Sequence, residues 1–384
     1  MSKLPSNWQV KSLGEVAEFI NGRAFKPEEW GTKGLPIIRI QNLTGFSSIY
    51  NYFDGDVNDK NLVRKNDILI SWSASLGVYV WGGDDAVLNQ HIFKVALKKD
   101  IDRIFFFYLV KTRIDEMISN VHGSTMKHIT KGRFDNIKVK LPPLPIQKQI
   151  ADILGKADEA KQKRYEANKL TDKFLQSVFI EMFGDPVKNP KGLERKTIEE
   201  ISKVSTGGTP SRENPEYFTG NIPWVKTTEV NNNRIFETEE KITDKALNES
   251  NCTMFPKGTV LIALYGQGLT RGRASILEIE ACTNQACAAI LPSNKINSIF
   301  LWQQLLHFYY HLRSLSRGGN QPNLNLSFIK NLNIIFPPLP LQQQFADIVN
   351  KIEALKEKQK QLEQELENLF QSLMQKAFKG ELVC

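Results

Sequence analysis

The chain carries nearly the same passage twice. Leu141-Pro142-Pro143-Leu144-Pro145-Ile146-Gln147-Lys148-Gln149-Ile150-Ala151-Asp152-Ile153 returns as Phe336-Pro337-Pro338-Leu339-Pro340-Leu341-Gln342-Gln343-Gln344-Phe345-Ala346-Asp347-Ile348, an offset of 195 residues (336 − 141). The same offset pairs Asn89-Gln90 with Asn284-Gln285, Gly123 with Gly318, Asn136 with Asn331 and Gln176-Ser177 with Gln371-Ser372, with no gap from Asn89 to Phe183. Solenoid units run to roughly 20–50 residues, so this period marks a duplicated module, one globular part and one long helix, used twice. Such a chain has two equivalent working surfaces.

Each Pro-Pro-x-Pro element excludes helix immediately upstream, and a heptad pattern runs on from each. In the second copy Leu341, Phe345, Ile348, Ile352, Leu355, Gln359, Leu362, Leu366, Leu369 and Leu373 step by four and three, and only Gln359 breaks the apolar series. Over about five heptads this predicts a coiled-coil seam. Lys356, Glu357, Lys358, Lys360, Glu363 and Glu365 lie between those positions as a solvated face. The first copy keeps the spacing with Ile146, Ile150, Ile153, Ala157, Ala160, Arg164, Ala167, Thr171, Phe174 and Val178. Small residues in one series complement large ones in the other. The reading is therefore two helices, 146–183 and 341–384, pairing antiparallel within one chain, with pairing between chains as the lesser alternative. About 38 residues per helix is roughly 57 Å.

Two glycines and two prolines in Gly184-Asp185-Pro186-Val187-Lys188-Asn189-Pro190-Lys191-Gly192 mark a linker. The expected organisation is a first globular domain over 1–145, a first helix over 146–183, a linker and second globular domain over 184–340, and a second helix over 341–384. Within the globular parts Pro36–Ile40, Asp67–Ser71, Pro223–Lys226 and Val260–Leu264 read as strands, and Ile101–Ile118 and Ile296–Leu315 as helices. The fold class is α+β.

Charge follows the same division. The net charge is +8. Residues 1–145 hold 20 Lys/Arg against 15 Asp/Glu, residues 184–340 hold 17 against 14, and the two helical stretches cancel. A basic surplus confined to the globular parts suits a polyanion, although an ordinary basic protein would show the same total. The apolar run around Ile104–Val110 is shorter than the roughly 20 residues of a membrane span. No apolar stretch follows Met1-Ser2-Lys3-Leu4-Pro5 as in a signal peptide, so a cytoplasmic location and no membrane partner are expected. Cys252, Cys282, Cys287 and Cys384 form no C-x-x-C pair and suit a reduced compartment.

Catalytic chemistry is hard to find. Leu141-Pro142-Pro143-Leu144 is similar to an amino-methyltransferase motif but lacks the polar residue that would hold the target amine. Tyr265-Gly266-Gln267-Gly268-Leu269-Thr270-Arg271-Gly272 misses a dinucleotide fingerprint by one residue and precedes no clear helix. Asp185 with Glu194-Arg195-Lys196 weakly echoes an acidic nuclease site, but it lies in the linker. His307 and His311 could share a metal at i, i+4, yet they stand among Trp302, Leu305, Leu306, Phe308, Tyr309 and Tyr310 and read as packing residues. Neither a resident metal nor a catalytic residue is expected.

The doubled Pro-Pro-Leu-Pro-x-Gln-x-Gln-x-Ala-Asp-Ile opening, Met182-Phe183-Gly184-Asp185-Pro186 after the first helix, and Gly318-Gly319-Asn320-Gln321-Pro322-Asn323-Leu324 before the second Pro-Pro together resemble the specificity (S) subunit of Type I restriction–modification systems. The resemblance covers the whole chain. It implies two target-recognition domains, each reading half of a split double-stranded DNA site, and an intramolecular antiparallel coiled coil that sets the gap and docks two methyltransferase (modification) subunits. It implies no enzymatic activity and no cofactor in this chain. S-adenosylmethionine and ATP would belong to the partners, the modification subunits and the restriction/translocase subunits. In the first half the glycine-rich segment is Gly123-Ser124-Thr125-Met126-Lys127-His128-Ile129, which departs from the second in lacking its Pro and Asn residues.

Base reading calls for Arg, Asn or Gln in bidentate geometry, and phosphate gripping for Lys, Arg, Ser and Thr. Candidates that follow strands or occupy polar loops are Arg39, Gln41, Asn42, Ser124, Thr125, Lys127 and His128 in the first half. In the second they are Lys226, Thr227, Thr228, Gln267, Arg271, Arg273, Arg317, Asn320, Gln321 and Asn323. Many residues of these types simply cap, turn or face solvent. Asn89-Gln90 and Asn284-Gln285 do not diverge between halves and read as scaffold.

Overall fold

A computed structural model describes residues 5, 7–120, 131–266, 269–315 and 324–383. The chain divides into two compact units, and the division cuts both long helices. One unit holds Met1–Glu166 and Lys360–Cys384, the other Ala167–Gln359.

The first unit contains β1 (Gln9–Ser12), α1 (Leu13–Val16), β2 (Ala17–Asn21), β3 (Leu35–Ile38), α2 (Ile40–Leu43), β4 (Asn51–Phe53), β5 (Leu62–Val63), β6 (Ile68–Ser71), β7 (Gly77–Val80), β8 (Ala86–Leu88), β9 (Ile92–Leu97), α3 (Arg103–Asn120), α4 (Lys131–Asp135), β10 (Lys138–Leu141) and the start of α5 (Leu144–Phe183). Its sheets run β2-β9-β6-β7 and β4-β3-β8-β5, with a separate β1-β10 pair. The second unit contains the end of α5, then β11 (Arg195–Thr197), α6 (Ile198–Ile201), β12 (Val204–Thr206), β13 (Ile222–Val225), β14 (Arg234–Ile235), β15 (Glu240–Ile242), α7 (Asp244–Glu249), β16 (Val260–Ala263), β17 (Ala274–Leu277), β18 (Cys282–Thr283), β19 (Cys287–Ile290), α8 (Ser298–Leu315), α9 (Leu326–Lys330), β20 (Asn333–Ile335) and the start of α10 (Leu339–Lys379). Its sheets run β12-β19-β16-β17-β14 and β15-β13-β18, with a β11-β20 pair.

The two units follow one plan, and the repetition reaches upstream of Asn89. Ser12 and Glu15 form a capping box at α1, and Thr197 and Glu200 form its counterpart at α6. The Leu13 N–H donates to the Ile137 carbonyl at 2.9 Å, and the Ile198 N–H to that of Leu332 at 3.2 Å. Gly22 and Gly207 follow the equivalent strands β2 and β12. At each, a Cβ would overlap a backbone carbonyl oxygen, that of Asn89 or of Thr283, so only glycine fits the crossing.

Helices α5 and α10 have 40 and 41 residues, roughly 60 Å each. Each starts two residues earlier than expected, because Pro145 and Pro340 occupy the first turn, where a missing N–H costs nothing. The repeated glutamine has a structural purpose. Buried Gln147 accepts from the Asp102 N–H at 2.9 Å and donates to the Pro142 carbonyl at 2.9 Å. Buried Gln342 accepts from the Asn297 N–H at 2.9 Å and donates to the Pro337 carbonyl at 2.7 Å. Each amide ties its long helix to the residues that open α3 or α8.

Within each unit the long helices pair antiparallel. In the second, the Phe179 and Phe183 rings lie 5.4 Å from that of Phe345, while Gln359 donates to the Thr171 hydroxyl at 3.1 Å. In the first, Lys161 pairs with Glu367 at 2.5 Å and lies 4.3 Å from the centroid of the Phe370 ring. Ile150 and Leu154 share a core with Met374 and Phe378 there, together with Phe19, Phe93, Phe105, Phe106 and Phe134.

The seam departs from expectation on one side. The column Phe345, Ile352, Gln359, Leu366, Leu373 is buried or half-buried, as is Ile150, Ala157, Arg164, Thr171, Val178 on α5. Leu355, Leu362 and Leu369, expected in the second column, are 48%, 44% and 51% exposed, and Phe174 is likewise exposed. The helices instead cover the next residue along, Val349, Phe370 and Ala377 on α10 and Leu154 and Leu175 on α5. Each helix serves both its partner and a domain core, and this turns the buried face away from the second column and toward the next one along. Gln147, Lys161, Asn168 and Lys356 hide that column in the sequence, since long polar side chains bury their stems while their heads find partners.

Candidate nucleic-acid interface

Strands β3 and β13 are each parallel to a short neighbour, with Ile38 opposite Leu88 and Val225 opposite Thr283. Each then breaks into a tight turn. In the first unit the Arg39 N–H donates to Asn42 Oδ1 at 3.0 Å. The Asn42 Nδ2 donates to the Ser47 and Ile49 carbonyls at 3.1 and 2.9 Å. In the second unit the Lys226 N–H donates to Glu229 Oε2 at 2.7 Å, and Glu229 Oε1 accepts the Glu239 N–H at 3.0 Å. Asn42 and Glu229 therefore hold the same turn. Left-handed Gly45 (φ 75°) and Asn232 (φ 61°) follow them at the same spacing. Arg39 and Gln41 correspond to Lys226 and Thr228 as the side chains that the turn presents.

The presented groups differ. The Arg39 guanidinium lies 5.3 Å from the centroid of the Trp30 ring, and its buried Nε has no hydrogen-bond partner among the described residues. Lys226 is engaged by Glu239 and, at 3.4 Å, by Glu240. The Glu239 hydrogen bond leads in holding the Lys226 pKa above its ordinary value. Arg212, at 2.7 Å, is the main cause of the lowered Glu240 pKa. The Thr227 hydroxyl donates to Asn284 Oδ1 at 2.8 Å, which gives Asn284 a scaffold contact. Thr228 is exposed.

The β16–β17 connection adjoins this turn. Arg273 donates to the side chain of Asn231. The Arg271 carbonyl accepts from Arg313 at 3.1 Å, and the Tyr309 hydroxyl donates to the Leu269 carbonyl at 2.7 Å, so α8 clamps the loop. Arg271, Arg273 and the 226–233 segment thus belong to one surface. In the first unit the β6–β7 connection takes the corresponding place and opens with Trp72, where the second unit has Leu264; the Trp72 N–H donates to the His91 carbonyl at 3.1 Å and the Leu264 N–H to that of Ala286 at 2.8 Å. Ser124, Thr125, Lys127, His128, Gln267, Arg317, Asn320, Gln321 and Asn323 lie outside the described residues.

Other chemistry is not assembled among the described residues. No group of three or more His, Cys, Asp or Glu side chains could hold a metal ion, and no helix is long and apolar enough to cross a membrane. His307 stacks on the Phe179 ring at 4.3 Å, and burial pushes its pKa below the ordinary value. Burial raises the Cys282 thiol to about 12 and that of Cys287 to about 11, so both stay protonated and inert.

The model of the Type I restriction modification DNA specificity domain matches residues 5–170 and again 190–368. The Type I restriction enzyme MjaVIII specificity subunit of Methanocaldococcus jannaschii is 25% identical over 401 residues, covering 99% of this chain and 94% of that protein. The EcoBI specificity subunit of Escherichia coli is 24% identical over 419 residues, covering 98% and 87%. Among solved structures, the S subunit of the Type I restriction–modification system from M. genitalium superposes with a TM-score of 0.60 at 16% identity over 98% of both chains. A chain from a study of complex assembly in the type I R-M system gives 0.63 at 19% identity over the whole of both chains. These likenesses establish a shared fold.

Proposed function

Since the chain belongs to the family of the Type I restriction modification DNA specificity domain, we propose that its two units each read one half of a bipartite double-stranded DNA target. The observation that carries this reading is a single backbone frame used twice with different presented groups. Arg39 and Gln41 stand in one turn where Lys226 and Thr228 stand in the other, and Arg271 and Arg273 flank the second. Asn42 and Thr227 act mainly by holding those turns. The chain supplies specificity and no turnover of its own, and S-adenosylmethionine and ATP are handled by partner subunits.

The long helices dock two methyltransferase subunits, and restriction/translocase subunits join through them. Apolar side chains are exposed on the long helices within each unit, Tyr165, Leu362 and Leu369 in the first and Leu170, Phe174, Ile180 and Leu355 in the second. Exposed apolar surface of this extent suits a protein partner. Leu362→Asp should leave the melting temperature nearly unchanged while weakening co-elution with the methyltransferase. A large fall in melting temperature instead would return Leu362 to the interior of the coil.

The decisive experiment exchanges residues 193–335 for the matching segment of a relative and maps methylated motifs in cells that also carry the methyltransferase partner. One half of the motif should change. Alteration of both halves, or of neither, would show that recognition is not divided between the units.

A further inference from the structure

Phe46 is 90% exposed and Ile49 74% exposed. Leaving such side chains in water forgoes the burial that stabilises most large apolar groups. The loop that carries them is nevertheless firmly built. The Ser47 N–H donates to the Gln41 carbonyl at 3.0 Å, the Asn42 amide reaches the Ser47 and Ile49 carbonyls, and the Ile49 N–H donates to the Ser47 hydroxyl at 3.2 Å. Gly45, in the left-handed region, turns the chain immediately before Phe46. Asn42 also fixes the Arg39 N–H, so one amide couples the ring-bearing loop to the turn that presents the Arg39 guanidinium.

The second unit uses the same loop differently. The residue after left-handed Asn232 is Asn233, whose side chain accepts from the Ser275 hydroxyl at 2.7 Å and lies against β17. Where the second unit folds this position back onto its own sheet, the first projects a phenyl ring; the second unit's exposed ring in this connection, Phe236, stands three residues further on, beyond β14. The position after the left-handed residue does not require an exposed aromatic, since asparagine serves there in the second unit.

We propose that Phe46 is a specificity-determining wedge, which inserts at a base step of the half-site that Arg39 grips. Apolar side chains placed between base pairs partly unstack them and kink the duplex. The cost depends on which step is opened, least for pyrimidine–purine steps, so a wedge reads sequence without hydrogen bonds. Ile49, on the same loop, would line the opened step. The inference rests on the reading of the first unit as a DNA reader.

The test uses the full chain with its methyltransferase partner and three variants, Phe46→Ala, Phe46→Trp and Arg39→Ala. The DNA is a duplex of the motif that methylation mapping of the unaltered protein reveals, with 2-aminopurine placed in turn at each step of the first half-site. Unaltered protein should brighten the fluorophore at one step. Phe46→Ala should abolish that signal and lower affinity for the motif roughly tenfold, the scale of one mismatched pair, with affinity for unrelated duplex unchanged. Phe46→Trp should restore both. Full brightening and affinity in Phe46→Ala, with a relaxed motif in Arg39→Ala, would overturn the wedge and leave the DNA-reading role of the first unit intact. No effect from either Phe46→Ala or Arg39→Ala would overturn that role as well. Loss of co-elution with the methyltransferase in Phe46→Ala, with DNA binding unchanged, would overturn the wedge by making the ring a protein contact.

Discussion

The turns after β3 and β13 share a backbone and differ in electrostatics. In one, Arg39 rests on an aromatic ring with a buried nitrogen that bonds to nothing described. In the other, Lys226 sits between two carboxylates. A duplicated module can thus keep its geometry through hydrogen bonds that any sequence context tolerates, while the charge presented at one position changes from one resting on a ring to one held between carboxylates. Geometry is held by Asn42 in one turn and Glu229 in the other, so even the holding residue need not be conserved in kind.

The shared frame itself is the most breakable part of the comparison. Gly22→Ala and Gly207→Ala each drive a methyl group into a backbone carbonyl, and each should destabilise by about 4 kcal/mol or more. Denaturant midpoints should fall comparably for both. A mild effect at one position alone would mean that the two crossings are not equivalent.

The presented charges come next. Arg39→Ala should relax one base position by roughly 1–3 kcal/mol, if the guanidinium reads guanine. Lys226→Ala should cost less than about 1 kcal/mol, since its charge is already answered within the protein. The sharper version removes the answer. Glu239→Gln with Glu240→Gln should free Lys226, strengthen binding to all sequences, and steepen the salt dependence by about one unit if Lys226 then meets a phosphate. Filter binding across a salt series would show it, and an unchanged slope would place Lys226 away from DNA.

The smallest effect concerns acid. His307 lies half-buried on Phe179 in the second unit, where Thr112, its counterpart at the 195-residue offset, donates to its own helix at 3.0 Å in the first. The folded state lowers the His307 pKa below 6.5, chiefly by desolvation, against the opposing charge of Asp185. As pH falls through 6.5 the unfolded chain takes up the proton first, so this contribution to stability is complete above that value and declines below it. Stability measured from pH 7.5 to 5.5 should decline less steeply in His307→Gln than in the unaltered protein.

Much of this architecture was legible because punctuation residues have few alternatives. Pro142-Pro143 and Pro337-Pro338 stop an upstream element whatever surrounds them, and the heptads that follow place α5 and α10 to within a few residues. The rotated seam was not legible, because Lys161 is half-buried through its stem and a ring contact while Leu362 stays half in water. The repetition upstream of Asn89 was hidden by length. Ser12 and Thr197 lie 185 apart and Arg39 and Lys226 lie 187 apart, against 195 beyond Asn89. Loops absorb insertions of that size while strand pairing persists. Asn42 shows a different barrier, since the amide that suits adenine also suits a turn, and only its surroundings reveal which use it has.

The division of the units also bears on how the protein is made. The second unit is one uninterrupted stretch, Ala167–Gln359, whereas the first needs Lys360–Cys384 to close over residues translated far earlier. The ring of Phe105 meets that of Phe378 at 5.6 Å, and Ile150 and Leu154 share a core with Phe370 and Met374. Those partners leave the ribosome after the whole of the second unit. At roughly 5–20 residues per second, the part synthesised first keeps an apolar helix face uncovered while the part synthesised second is made, so its core can be completed only after the second unit has been translated.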